Sequence, residues 1–201
     1  MALQDNATFI PAHGDVLAAA PGAATPTAKE IQEWIDGGAT GKLGGFETIG
    51  HTSLDELPGM ESEQEGGETK GSWQNPTLRT TPITITDSIT VTGIQWTEEQ
   101  LSYRFGKGTI NTGTGVFEAP DIYTATERSL LVVARDGSNF VAFHYPRVSS
   151  RPEGNVEFSA EDFMGMPIRY DVLKASGKPK LSIISNVFAS ANPLPPEPTD
   201  A

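Results

Sequence analysis

The chain contains no cysteine, so neither a disulfide framework, a thiolate nucleophile nor a cysteine-ligated metal can account for how it works. No apolar run approaches the roughly 18 residues that a membrane-spanning helix needs, which leaves no membrane partner. The opening residues, MALQDNATF, lack the basic-then-apolar pattern of an export signal, pointing to a soluble protein made in a cytoplasm. Basic residues are scarce: 14 Lys and Arg stand against 26 Asp and Glu, for a net charge of −12. The imbalance is concentrated, since residues 1–69 hold 12 acids and 2 bases while the remainder holds 14 and 12. A grip on nucleic acid needs clustered Lys and Arg, so it is disfavoured. The acidity serves solubility or a surface that repels a polyanion, and composition alone leaves both open.

Catalytic patterns are missing as well. His13, His51 and His144 are far apart and none sits in an HExxH-type spacing; structural roles suit His51 and His144. Gly41-Lys42 resembles part of a phosphate loop, but Asp36 replaces its first glycine and Leu43 its magnesium-binding hydroxyl. There is no GxSxG elbow. The glutamates between 61 and 68 lack the spacing of a calcium loop. No catalytic, cofactor or metal residue is assigned, and an enzyme finds no support.

What is present points to strands and turns. With 21 Gly and 15 Pro and modest apolar content, a mainly β architecture fits better than a helical bundle. The reading is one domain over residues 1–190 with a Pro-rich tail at 191–201. From Thr81 the sequence alternates: Ile83, Ile85, Ile89 and Val91 on one face, Thr84, Thr86, Ser88, Thr90 and Thr92 on the other. Gly93, where the apolar phase shifts, suggests a bulge. A short helix follows at 97–105, with Thr97 as N-cap and Gln100 three residues on. Trp96 and Leu101 form a hydrophobic staple there, and Phe105 extends the docking face into the core. Helix ends are also marked around 27–36, where Thr27 and Glu30 make a capping box and Ile31, Trp34 and Ile35 share a face. Arg128–Tyr145 reads as a hairpin turning at Asp136-Gly137. The tryptophans sit where packing, rather than a binding row, would use them.

Residues 54–71 form the longest irregular stretch, carrying six acids: Asp55, Glu56, Glu61, Glu63, Glu65 and Glu68. It cannot bury a core. Because it interrupts a strand pair, it is expected to be a protruding arm, with a mobile solvated loop as the plainer reading.

Several segments, in order, carry a likeness: Gly50-His51-Thr52-Ser53, Glu65-Gly66-Gly67-Glu68, Gly71-Ser72-Trp73-Gln74-Asn75 and Leu78-Arg79. With Trp96-Thr97-Glu98-Glu99, Leu101 and Tyr103-Arg104-Phe105-Gly106, they resemble the major tail tube protein of long-tailed, non-contractile (siphovirus-type) bacteriophages, most of all those infecting actinobacteria. The resemblance covers about residues 5–175. It implies a β-sandwich or barrel with one short docked helix, a long protruding loop and extended termini. It further implies a virion protein, assembled in the host cytoplasm, whose six-membered rings stack into a tube. That tube would hold a tape-measure protein, meet tail terminator and tail-tip proteins at its ends, and conduct the genome as a non-sticking passenger. In such a subunit Glu61, Glu63, Glu65 and Glu68 belong to an inter-ring loop. The hydroxyl face of Thr84, Thr86, Thr90 and Thr92, or the matching face of the partner strand, looks into the channel. The alternative is a non-enzymatic β-sandwich binding or capsid decoration module.

Overall fold

The first strand, β1 (His13–Ala19), starts in solvent and buries its last four residues. The computed structural model describes residues 8–191, and β1 belongs to the first of two units, built from residues 8–52, 127–148 and 173–191. Residues 192–201 of the expected Pro-rich tail lie outside the described residues. Helix α1 (Ala28–Asp36) starts as its sequence dictates: Thr27 accepts from Glu30 N, and the Glu30 carboxylate accepts in return from Thr27 N at 2.7 Å. Its buried residues, Ile31 and Trp34, meet Leu17, Leu43, Phe46, Leu131, Phe140 and Ala142 in one core cluster.

The expected hairpin is formed by β9 (Glu127–Asp136) and β10 (Asn139–Pro152), joined through Gly137 at a φ of 58°. With β2 (Glu47–Thr48), the strand order is β2-β1-β9-β10, and β12 (Ser182–Ser185) also pairs with β10. Before Phe46 the Gly-rich stretch forms a tight turn, because Leu43 and Phe46 exchange backbone hydrogen bonds and are both buried. After its four residues β12 continues directly as α3 (Asn186–Ala191).

His144 is fully buried and satisfied on both ring nitrogens, by Thr25 Oγ1 and Ser129 Oγ, each at 2.9 Å. The Phe46 ring stands edge-on at 5.5 Å. His13 and His51 lie at the surface. Burial, and then the nearby charge of Lys178, push the pKa of His144 down from 6.5 to about 4. The unfolded chain therefore takes up a proton that the folded chain refuses. Stability carried by the neutral ring is complete above pH 6.5 and is lost as pH falls towards 4, by about 3 kcal/mol at most. Urea titrations across that window will show the decline, and His144→Gln will flatten it.

The second unit comprises residues 53–126 and 149–172. Its central strand is β6 (Thr84–Gly93), lying between β11 (Met166–Val172) and β3 (Gly59–Glu65); the last residues of β10 precede β11 in the order. Beyond β3 the hairpin continues as a second pair, β4 (Thr69–Lys70) with β5 (Arg79–Thr80). A small hairpin, β7 (Thr109–Asn111) with β8 (Val116–Glu118), follows helix α2 (Glu98–Phe105).

Helix α2 is capped by Thr97 as expected, yet it docks through another face. Its buried residues are Gln100, Tyr103 and Arg104, whereas Trp96 and Phe105 are 40% and 36% exposed and Leu101 is half-buried. Tyr103 packs edge-on against Tyr170 at 5.9 Å and donates from its hydroxyl to Glu99. Arg104 donates to three carbonyls, those of Glu153, Pro167 and Gly154, at 2.6–2.9 Å. Long polar side chains can bury their stems once their tips are satisfied, and here they displace the apolar face. Trp96 is held differently, its indole donating to Met164 O at 3.1 Å. Gly93 is no bulge either. It stays in register with Met166, and an added Cβ would collide with the buried Gln100 amide. In thermal unfolding, Tyr103→Ala should cost about 3–5 kcal/mol and Phe105→Ala less than about 1 kcal/mol.

Candidate functional site

Register assembles the site. On one edge β6 pairs Ser88 with Glu61, Thr86 with Glu63 and Thr84 with Glu65; on the other it pairs Thr90 with Arg169 and Ser88 with Asp171. Residues directly opposite in antiparallel strands point to the same side, so these side chains form one polar face. The opposite side takes Ile89, Val91, Ile168, Tyr170 and Val172 into the core.

Arg169 organises the polar face. Its Nη1 donates to Glu61 at 3.0 Å, its Nη2 to Glu63 at 3.1 Å and its Nε to Asp171 at 3.1 Å. Asp171 also accepts from Arg151 Nε at 2.8 Å, and Arg151 lies 3.9 Å from Glu153. Burial works against the Arg169 charge, but hydrogen bonds and charges of Glu63 and Asp171 outweigh it and raise the pKa. The guanidinium is 10% exposed while Glu61 and Glu63 are 60% and 56% exposed, so solvent meets carboxylates first. With Glu65 the face holds five carboxylates and two guanidiniums and is acidic on balance.

The sequence-derived candidates divide accordingly. Thr84 and Thr86 are exposed and Thr90 half-buried on this face. Thr92 shares the side but is buried under the segment entering β3: it donates to Glu56 at 2.7 Å, and its carbonyl accepts from Ser53 N. It is therefore not an open wall residue. The segment 54–71 is not irregular, since Glu61, Glu63 and Glu65 sit on β3, in register with β6 throughout. Glu68 lies past Gly66-Gly67, where its backbone pairs with Thr81. The expected arm exists as a hairpin within the chain. β3 and the first half of β6 are exposed, including Met60 and Ile85 at 55% and 49%, and after Asp87 both sides of β6 are covered, since Ser88 and Thr92 are buried with Ile89 and Val91 and only Thr90 stays half-open. Asp87, in the middle of the strand, accepts from Ser62 Oγ at 2.6 Å. Trp73, expected to pack, is 98% exposed at the tip. Arg169, Arg151 and Asp171 were not singled out from the sequence; the alternation of Arg169 and Asp171 with Ile168, Tyr170 and Val172 was the available signal.

The family model for phage tail tube proteins matches residues 1–195. The chain belongs to this family. Two major tail proteins named Gp23 agree with it: that of Mycobacterium phage D29 is 32% identical over 178 residues, and that of Mycobacterium phage L5 is 33% identical over 183 residues. Each alignment covers 86% of this chain and 88% of the relative. As a phage tail tube protein the chain is a mainly β structural component of the virion tail, not an enzyme. Within this tail tube protein, Arg169 ties the arm's first strand to β11. Arg169→Gln is expected to speed amide exchange across residues 59–65 at least several-fold while leaving α1 unaffected, as read by hydrogen-exchange mass spectrometry.

Proposed function

We propose that the chain is the subunit of stacked six-membered rings in the tail of a siphovirus-type phage, with the polar face of β3, β6 and β11 lining the channel. The observation that carries this reading is the acidic, internally tied face itself: opposite the core residues Ile89, Val91, Ile168 and Tyr170, the same strands present Glu61, Glu63, Glu65, Thr84 and Thr86 to solvent around Arg169. Repeated around and along a tube, such a face offers DNA no counterion release and hence no adhesion. Thr84, Thr86 and Thr90 give it short neutral side chains, flanked by Glu61, Glu63 and Glu65. The arm, with exposed apolar residues and marginal stability as a lone two-stranded ribbon, suits a contact that a neighbouring ring completes. In this role the subunit is assembled in the host cytoplasm, encloses a tape-measure protein, joins terminator and tip proteins at the tube ends, and passes the genome during ejection. The family match crosses both units, which supports treating residues 1–190 as one tail tube domain. The decoration-module reading gains nothing from the aromatics. Exposed Trp73, Phe158, Phe163 and Phe188 lie outside the strands, not in a row on a strand face.

Negative-stain microscopy of concentrated protein should show tubes with six-fold rings, and monomers alone would sink the assignment. Arg placed at both Thr86 and Thr90 should still fold and assemble but slow genome ejection, more so at low salt. Unchanged ejection would argue that another face lines the channel.

A further inference from the structure

We propose that a pocket beside α1 receives the Trp73 tip of the arm from a second copy of the chain. The proposal deepens the stacked-ring reading and rests on it.

The tip is built to present its aromatic. Ser72 and Asn75 close the turn with reciprocal backbone hydrogen bonds of 2.7 and 3.1 Å, leaving Trp73 98% exposed between them. Just behind, Lys70 and Arg79 stand directly opposite one another, both exposed and without a carboxylate partner among the described residues. Like charges in that position destabilise a strand pair, so an acidic surface at the tip removes a cost the free arm carries. A Trp backed by cations is the chemistry of an interface anchor.

The pocket offers the complement. It is an open groove of about 610 Å³ in the first unit, with Pro26, Trp34 and Phe46 as apolar walls; of its acids, Glu30 is held by Thr27 in the helix cap and Glu33, exposed, lies 3.7 Å from Lys29. Lys42, which also lines it, is tied to Glu47. The volume admits an aromatic side chain with its flanking residues. Trp34, whose Nε1 is buried with no hydrogen-bond partner among the described residues, supplies the indole wall. Gly45, at the pocket edge, is not in the left-handed region, and nothing lies within 4 Å of where its Cβ would be. A side chain at this position would therefore fit within the subunit and project toward whatever occupies the pocket, which makes it a probe of that occupancy. A tip in a pocket is a head-to-tail contact between different patches, which propagates from copy to copy as a tube requires.

Because the chain has no cysteine, single cysteines give an unambiguous test. Gln74→Cys protein, which keeps the Trp73 anchor, and separately mass-labelled Gly45→Cys protein are mixed, assembled and oxidised. Mass spectrometry should find a disulfide joining position 74 of one copy to position 45 of another, in tubes seen by microscopy. Trp73→Ala and Gly45→Leu should each raise the concentration needed for assembly about tenfold or more, with the melting midpoint unchanged, while Trp73→Phe assembles. Normal tubes with no such cross-link, and normal assembly of Gly45→Leu, would overturn this contact alone. Absence of tubes from the unmodified chain would overturn the ring reading and this proposal with it.

Discussion

The second unit depends on the register with which β6 meets β3 on one edge and β11 on the other. Side chains alternate with a period of two, so a one-residue slip along either edge would send Glu61 and Glu63 to the side of Tyr170 and bring Met60 among the arginines. The guanidinium of Arg169 is the device that fixes this register. It reaches Glu61 and Glu63 across the sheet while Asp171, two residues along its own strand, holds its Nε, and a one-residue slip of β3 would carry both glutamates away from it. Polar identity of the face and placement of the arm are therefore consequences of a single alignment.

Polar groups also decide how the helix is held. Arg104 gathers carbonyls from just after β10 and from the start of β11, and Tyr103 spends its ring on Tyr170 and its hydroxyl on Glu99. Gly93 matters because of what it omits: the missing Cβ leaves room for Gln100. The first unit is arranged more conventionally, around an apolar cluster beneath α1, with one histidine kept neutral by burial and held by two hydroxyls.

What could be read from the sequence was what short-range chemistry specifies. The Thr27–Glu30 box, the Gly137 turn, the apolar runs of β9 and β10 and the caps of α2 all depend on neighbours within a few residues. The rest needed partners far along the chain. Phe105 fits an apolar helical face, but the ring and hydroxyl demands of Tyr103 and the carbonyls awaiting Arg104 override it. Residues 59–65, rich in Glu and Gln, carry no strand propensity; they become a strand because β6 and Arg169 receive them. Thr92 carries the same alternation as Thr84, and only the crossing of Glu56 sets it apart. The hydroxyl face was legible as a pattern, while its charge comes from the glutamates of β3 and from Arg169 and Asp171 of β11, which only pairing brings beside β6.

Between the two paired segments of the arm lie Gly66 and Gly67, both at positive φ, with β3 and β6 on one side and the short β4–β5 pair on the other. Hydrogen bonding is close to continuous across them, yet no side chain stiffens the joint on that strand. Such a ribbon resists stretching but bends readily at one place. In the proposed assembly this gives each inter-ring link the mechanics of a strap: neighbouring rings can tilt against one another while the tip stays seated, so a long tube can curve without opening a seam.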